Sequence, residues 1–182
     1  MRELSYPLFT PRLRLEPITR SLGEAAAEGP DGLASALGAD VPREWAPGGM
    51  RLLSAARRNA WTNATPTRAI VIHEGDERVI GDIRFEPVAL APDTIELGYG
   101  ILAAYRQQGY AVEASARILA WLFDEARITR VIAGCDMRNR ASVRTLRRLG
   151  FWLDSAKRGR AFWWTLDHDL YAQRAKEARN GA

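Results

Sequence analysis

Apolar and polar residues alternate over 12–16, where Leu13 and Leu15 fall between Arg12, Arg14 and Glu16, with Pro11 and Pro17 on either side. Period two predicts a short strand with one buried face. From Ile18 to about Asn63 the chain is rich in Ala and broken by Gly and Pro. This stretch predicts two or three short helices, near 19–28, 31–38 and 49–60. Three strands follow. Residues 68–73 hold the run Ala69-Ile70-Val71-Ile72. Residues 78–85 alternate, with Val79, Gly81, Ile83 and Phe85 on one side and Asp82 and Arg84 on the other. The turn residues Glu74-Gly75-Asp76 between these two strands predict a hairpin. The third strand spans 94–102, after the turn signal Ala91-Pro92-Asp93.

A long helix is predicted over 109–127, because Ala111, Ala114, Ile118 and Leu122 recur at helical spacing while Glu113, Arg117 and Asp124 fall elsewhere. Residues 130–135 read as a buried strand. Asn139 opens a second helix that stops at Gly150, a residue suited to the left-handed position past a helix end. Residues 151–155 and 161–166 predict a closing hairpin around Lys157-Arg158-Gly159-Arg160, and 168–179 a helical tail. The order predicts an α/β (α+β) fold in one domain over 1–182. Its core covers about 10–167 and its tail 168–182. A mixed, mostly antiparallel sheet is expected at the centre, flanked by helices.

The chain has 182 residues, 47% apolar and 26% charged, enough to bury a core without disulfides. Cys135 is the single cysteine, which excludes an intrachain disulfide and fits a reducing compartment. The first residues carry no apolar stretch of signal-peptide type, and no run approaches the roughly 20 apolar residues of a spanning helix. A cytoplasmic protein without membrane contact is expected, and a homodimer is left open. The net charge of +4 favours anionic partners. No nucleic-acid motif accompanies it, so no direct nucleic-acid binding is expected, and a phosphate-rich cofactor fits equally well. His73 and His168 are the only histidines, far apart and without Cys partners, so no metal is expected. Cys135, on a buried strand, reads as packing.

The chemistry concentrates in residues 101–116, ILAAYRQQGYAVEASA. An apolar strand ends, a loop crosses, and Gln107-Gln108-Gly109-Tyr110-Ala111 opens a helix. The first amides of a helix lack internal partners and, with the helix dipole, attract an anion. Gly109 allows close approach or a left-handed backbone, and Arg106 adds a cation. Taken alone, the glycine also suits an ordinary packed helix start. The segment matches neither the dinucleotide fingerprint nor the P-loop.

Arg106-Gln107-Gln108-Gly109-Tyr110-Ala111 resembles the R/Q-x-x-G-x-G/A signature of the GNAT acetyltransferases. Glu96-Leu97-Gly98-Tyr99 lies before it, and Asn139-Arg140-Ala141-Ser142 with Leu149-Gly150-Phe151 resembles that family's N-x-x-S…L-G-F element. The closest branch is the one containing the ribosomal-protein N-terminal acetyltransferases. The resemblance covers about 10–167 and implies a GNAT-like domain that uses acetyl-CoA as co-substrate. It implies cofactor contacts at Gly100, Ile101 and Leu102, at Arg106, Gln107, Gln108, Gly109, Tyr110 and Ala111, and at Asn139. Ser142 is expected to face the same cleft as a catalytic residue. Many members place an acidic tyrosine seven residues after this asparagine; here that position is Leu146, leaving Ser142 or water to protonate the departing thiolate.

The implied reaction is direct transfer of acetyl to a primary amine, such as a protein N-terminus. The alternatives are a small-molecule or antibiotic acetyltransferase and a non-catalytic CoA-binding sensor. Glu96 is the expected general base, since Glu96, Gly98 and Gly100 share one strand face and a carboxylate there meets an open cleft. The competing reading pairs Glu96 with Arg84, and Glu86 is the reserve base. Trp45, with Trp61, is the candidate for acceptor binding, against ordinary core packing. Arg140, Arg144 and Arg148 share a helix face that meets solvent, an acidic protein, RNA or a ribose phosphate.

Overall fold

The computed structural model describes Leu4 and residues 6–45, 67–158 and 161–180. The helix expected at 49–60 and Trp61 lie outside these residues. The strands are β1 (Leu8–Phe9), β2 (Leu13–Pro17), β3 (Arg68–His73), β4 (Arg78–Val88), β5 (Ala91–Ile101), β6 (Arg130–Cys135), β7 (Trp152–Arg158) and β8 (Ala161–Asp167). They form one sheet in the order β1-β2-β3-β4-β5-β6-β8-β7. Every neighbouring pair is antiparallel except β5 with β6, which run parallel through Thr94↔Arg130, Ile95↔Val131 and Glu96↔Ile132. The α-helices among the described residues are α1 (Arg20–Ala25), α2 (Pro30–Leu37), α3 (Tyr110–Ala120), α4 (Arg140–Leu149) and α5 (His168–Asn180).

Two apolar clusters cover the two sheet faces. Ala69, Val71, Ile83, Phe85, Ile95 and Leu97 turn toward Ala114, Ile118 and Leu122 of α3 and its extension, and toward Val143 and Leu146 of α4. Ile70, Ile72 and Val79 turn the other way, toward Leu22 of α1, Leu33 and Leu37 of α2, and Trp45. β3 is therefore buried on both faces, which is why it reads as a continuous apolar run. The end of α3 widens into a π-turn over Trp121–Glu125, which brings Trp121, Leu122 and Phe123 all inside.

The structure departs from the sequence pattern at the start of β4, at the β4–β5 hairpin and in the first helix. Val79 does not share a side with Ile83 and Phe85: the β3–β4 register shifts between Val71 and Ile72, Ile80 is the extra residue, and Val79 packs in the cluster under α1 and α2 instead. Ala91-Pro92-Asp93 is not a turn: the reversal falls at residues 89–90, and these three begin β5. Proline is tolerated there because the β4–β5 register shifts at Pro87/Val88, next to Ala91, and leaves Pro92 without a ladder partner. The helix expected over 19–28 splits into α1 and a short 3-10 turn, which Gly29 ends at φ 100°.

Candidate active site

Beyond Glu96 and Ile132 the parallel pair ends. β5 continues toward Ile101 with only its β4 partner, while β6 keeps only its β8 partner, so the sheet splays. In a strand, successive peptide groups face opposite sides. Leu102 N–H donates to the Ile80 carbonyl at 2.8 Å, and the Gly100 carbonyl lies so close to Gly81 that a Cβ there would sit 2.0 Å from it. The peptide groups of Tyr99 and Ile101 therefore turn into the splay. The Ile101 carbonyl already accepts from Arg106 Nε at 2.9 Å, which leaves the Ile101 amide for a ligand.

The cleft beside this strand end has a volume of about 670 Å³. Gly100, Ile101, Arg106, Gln107 and Gly109–Val112 wall it on one side, and Asn139, Ser142, Arg144, Thr145 and Arg148 on the other. Gln107 (φ 63°) and Gly109 (φ 88°) are both left-handed, an alternation that curls successive amides into an anion-binding concavity. No side chain caps the start of α3, so its first amides remain for a ligand. A second layer holds this turn in place. Arg12 Nη1 donates to the Gln108 carbonyl at 3.2 Å, and Arg12 Nε donates to Glu113 at 2.7 Å. Thr10 donates to Glu113 at 2.6 Å, and the Arg12 guanidinium lies 4.3 Å from the Tyr110 ring centre. His73 Nδ1 lies against Asp76, 3.1 Å from its amide, and His73 Nε2 shares a hydrogen bond of 3.0 Å with Tyr110 Oη. His73 thus buttresses the turn through Tyr110. No group of three or more His, Cys, Asp or Glu side chains able to hold a metal occurs among the described residues.

A smaller cavity of about 380 Å³ adjoins the cleft and shares Tyr99, Gly100 and Ser142 with it. Its other walls include Arg68, Asp82 and Arg84 on the sheet, and Cys135 and Leu146 across the splay. Burial pushes the Cys135 thiol up, which disfavours the thiolate a nucleophile needs. The sheet wall is a ladder of charges. Arg68 lies opposite Arg84, Arg84 opposite Gly98, Glu86 opposite Glu96, and Asp82 opposite Gly100. Arg68 donates to Glu86 at 2.6 Å and Arg84 to Glu96 at 2.8 Å.

The Acetyltransferase (GNAT) domain model matches residues 12–152. The chain belongs to the GNAT acetyltransferase family. It is an N-acetyltransferase, and the GNAT fold uses acetyl-CoA as co-substrate. The uncharacterized N-acetyltransferase YjdG of Bacillus subtilis (strain 168) is 26% identical over 151 residues, covering 81% of this chain and 90% of that protein. A ribosomal-protein-S5-alanine acetyltransferase from Vibrio fischeri shares the fold with a TM-score of 0.60 at 17% identity, over 91% of this chain and 98% of that one. The spermidine/spermine N-acetyltransferase SpeG from Vibrio cholerae, in mutant forms, does so with a TM-score of 0.57 at 14% identity, over 69% and 81%.

The cleft fits the GNAT co-substrate. An uncapped helix start, a curled amide turn and Arg144 with Arg148 on the opposite wall suit a polyphosphate, and the open edge of β5 suits an amide-bearing arm. Among the residues expected to meet it, Gly100, Ile101, Arg106, Gln107, Gly109, Tyr110, Ala111 and Asn139 line the cleft. Leu102 is off its wall, and so is Gln108, which donates through Nε2 to the Ala104 carbonyl at 3.1 Å and accepts Arg12 at its own. Arg144 and Arg148 were legible only as a charged helix face, since nothing in the sequence shows which way that face turns. Asn139 accepts the Ser142 amide at 3.1 Å as the α4 N-cap while lining the cleft, so both roles weighed for it are compatible. Leu146 is buried, 1% exposed, and brings no hydroxyl to the splay. Tyr99 does: its phenol points at α4 and donates to the Ser142 carbonyl at 3.4 Å, with Thr145 beside it.

Two residues take the competing places that the sequence also allowed them. Glu96 is engaged by Arg84 and lies off the cavity wall. The open face expected beside it is not open at Gly98, where a Cβ would meet the Arg84 guanidinium at 3.1 Å. Trp45 is 5% exposed and packs in the cluster under α1 and α2, off both cavity walls.

Proposed function

We propose that this protein is a cytoplasmic N-acetyltransferase that transfers acetyl from acetyl-CoA to a primary amine, a protein N-terminus in the first instance, with both substrates bound together. The observation carrying this reading is the meeting of two cavities at Tyr99, Gly100 and Ser142. One suits an anion and an extended arm, and the other runs through the splay to the charged ladder of Arg68, Asp82 and Arg84. A thioester laid along β5 would bring its carbonyl to this junction. There the amides of Tyr99 and Ile101 offer hydrogen bonds to the carbonyl oxygen, which stabilise it most as negative charge develops. The walls orient amine and thioester, a large part of any bimolecular advantage. The hydroxyls at the junction, Ser142 and Tyr99, are placed to return a proton to the departing sulfur. Burial pushes the Tyr99 phenol up, so it carries its proton at neutral pH.

A small-molecule amine is the second reading. It is favoured by the modest size of the acceptor-side cavity, about 380 Å³, within the range of small-ligand sites, and by the fold shared with a spermidine/spermine enzyme. Acetyl-CoA turnover against peptides beginning with Ser or Ala, spermidine and simple alkylamines tests the proposal. CoA release with acetyl on the peptide α-amine is expected. Turnover of spermidine alone selects the second reading, and acetyl-CoA binding without acetyl transfer to any amine overturns both.

A further inference from the structure

We infer that Asp82, on β4, is the carboxylate that receives the acceptor's ammonium group and takes its proton. This rests on the reading of the site as an amine acetyltransferase. On β3, β4 and β5, the sheet face turned toward the acceptor-side cavity carries Arg68, Asp82, Arg84, Glu86 and Glu96, three acidic and two basic side chains. Both arginines are already committed. Arg68 is held by Glu86 and Arg84 by Glu96, with Arg84 also 3.8 Å from Glu86. Asp82 forms no ion pair among those of the described residues. The buried indole N–H of Trp45 approaches it without closing a hydrogen bond of ordinary geometry. The ladder therefore neutralises two of its acids and leaves one carboxylate on the cavity wall.

What lies in front of that carboxylate also matters. Its cross-strand neighbour is Gly100, and a Cβ built on Gly100 would meet nothing within 4 Å. Cross-strand side chains normally fill this space. Here it stays open at the residue where the acceptor-side cavity joins the acetyl-CoA cleft. The equivalent space at Gly98 is taken by the Arg84 guanidinium, which puts Glu96 one arginine away from any substrate. Burial pushes the Asp82 carboxyl above its ordinary value, a rise that Trp45, Arg68 and Arg84 partly oppose. A raised carboxylate is a better base.

The step balances as follows. Asp82 accepts one proton from the ammonium, directly or through one water. The freed nitrogen lone pair forms the C–N bond at the thioester carbonyl. The C–S bond breaks with its electrons on sulfur, and the proton still to be lost from nitrogen reaches that sulfur through the junction hydroxyls or water. Asp82 then returns its proton to solvent. Among the described residues, the charged or titratable groups facing Asp82 are Arg68 from β3, Arg84 on its own strand, and Tyr99 and Cys135 from the far wall.

Asp82→Asn in the full chain should leave the acetyl-CoA dissociation constant within about twofold by calorimetry. It should cut kcat/KM for whichever amine the wild type acetylates by about 10²–10⁴, the usual worth of a positioned base. It should remove the acidic limb of the pH–rate profile, and its melting temperature should not fall, because a half-buried charge without an ion pair has been removed. Asp82→Glu should recover part of the rate, and Glu96→Gln should lose less and keep the acidic limb. Near-normal kcat/KM in Asp82→Asn, or an equal loss in Glu96→Gln, overturns the assignment. Failure of the wild type to acetylate any amine strikes the proposed function instead. In that case carboxyl carbon-13 NMR of the CoA-bound protein titrated with n-propylamine still decides. A saturable shift at Asp82 and not at Glu96 supports the assignment, and an unmoved Asp82 overturns it.

Discussion

Gly109 allows the conformation of the anion-binding turn and its charge to be tested separately. Its φ of 88° lies where L side chains rarely go, yet a Cβ there would meet only Arg12 Nη2 at 3.5 Å, an ordinary contact. Gly109→Ala therefore costs backbone energy rather than a clash, about 1–2 kcal/mol for a left-handed non-glycine residue. In a chain of this length that lowers the melting temperature by about 2–8 °C. Gly109→Glu adds the same cost and a carboxylate. Arg12 is already bound to Glu113, so the new group competes for that cation rather than finding a free one. A carboxylate about 5 Å from a pyrophosphate, at an effective dielectric near 20, is repelled by roughly 3 kcal/mol per phosphate charge, less where water screens it. Acetyl-CoA should bind Gly109→Glu about tenfold to several hundredfold more weakly than Gly109→Ala, and the gap should narrow as salt rises. Calorimetry of both folded variants at about 50 and 300 mM salt measures it. Equal affinities at low salt would show that no anion sits at this turn.

Arg148→Ala should weaken acetyl-CoA binding about two- to tenfold, the size of one charge-assisted contact on a wet wall; calorimetry with an unchanged constant would remove Arg148 from the site. Trp45→Ala should cost about 3–5 kcal/mol in urea unfolding, because the indole is buried in the second core cluster; a stable variant with only a raised acceptor KM would restore the acceptor-pocket reading. Burial raises the Glu113 carboxyl, but hydrogen bonds from Thr10 and Arg12 outweigh it and hold it below its ordinary value. A lowered acid stabilises the fold above its unfolded value and loses that contribution as pH falls through the folded one. Glu113→Gln should therefore be less stable than wild type by about 1–2 kcal/mol at pH 7, with the gap closing below about pH 4.3 in paired denaturant titrations. A gap independent of pH would refute the charge argument.

The elements were legible where one periodicity ruled, as in β2, α3 and α4, and where glycine closed a helix at Gly150. The β4–β5 turn was misread because Pro92 is a turn signal by composition, and its tolerance depends on a register shift that only pairing reveals. The left-handed turn that opens α3 was legible because it is local: six consecutive residues make it. The acceptor side was not, because it is assembled across strands. Asp82 reads as one polar position in an alternating strand, and its importance follows from Gly100 lying opposite. Glu96 looked open for the converse reason, since Arg84 fills the space that its glycine neighbours suggested. Trp45 sat in an irregular segment, and no local pattern shows on which side of α1 and α2 it packs.

The splay also has a mechanical side. The strands before it are joined to those after it, within the sheet, by three consecutive residue pairs, Thr94 to Glu96 with Arg130 to Ile132. Past this seam each half is stitched only to itself and to the helices. An extended arm lying along β5 would act as a partial ninth strand, bridging a gap the polypeptide leaves open. Binding should then slow amide hydrogen exchange on both sides of the seam, in β5 beyond Glu96 and in β6 beyond Ile132, well away from the phosphate turn. The molecule would melt later with the arm in place, by mass action on a fold whose last stitch is supplied by its own substrate.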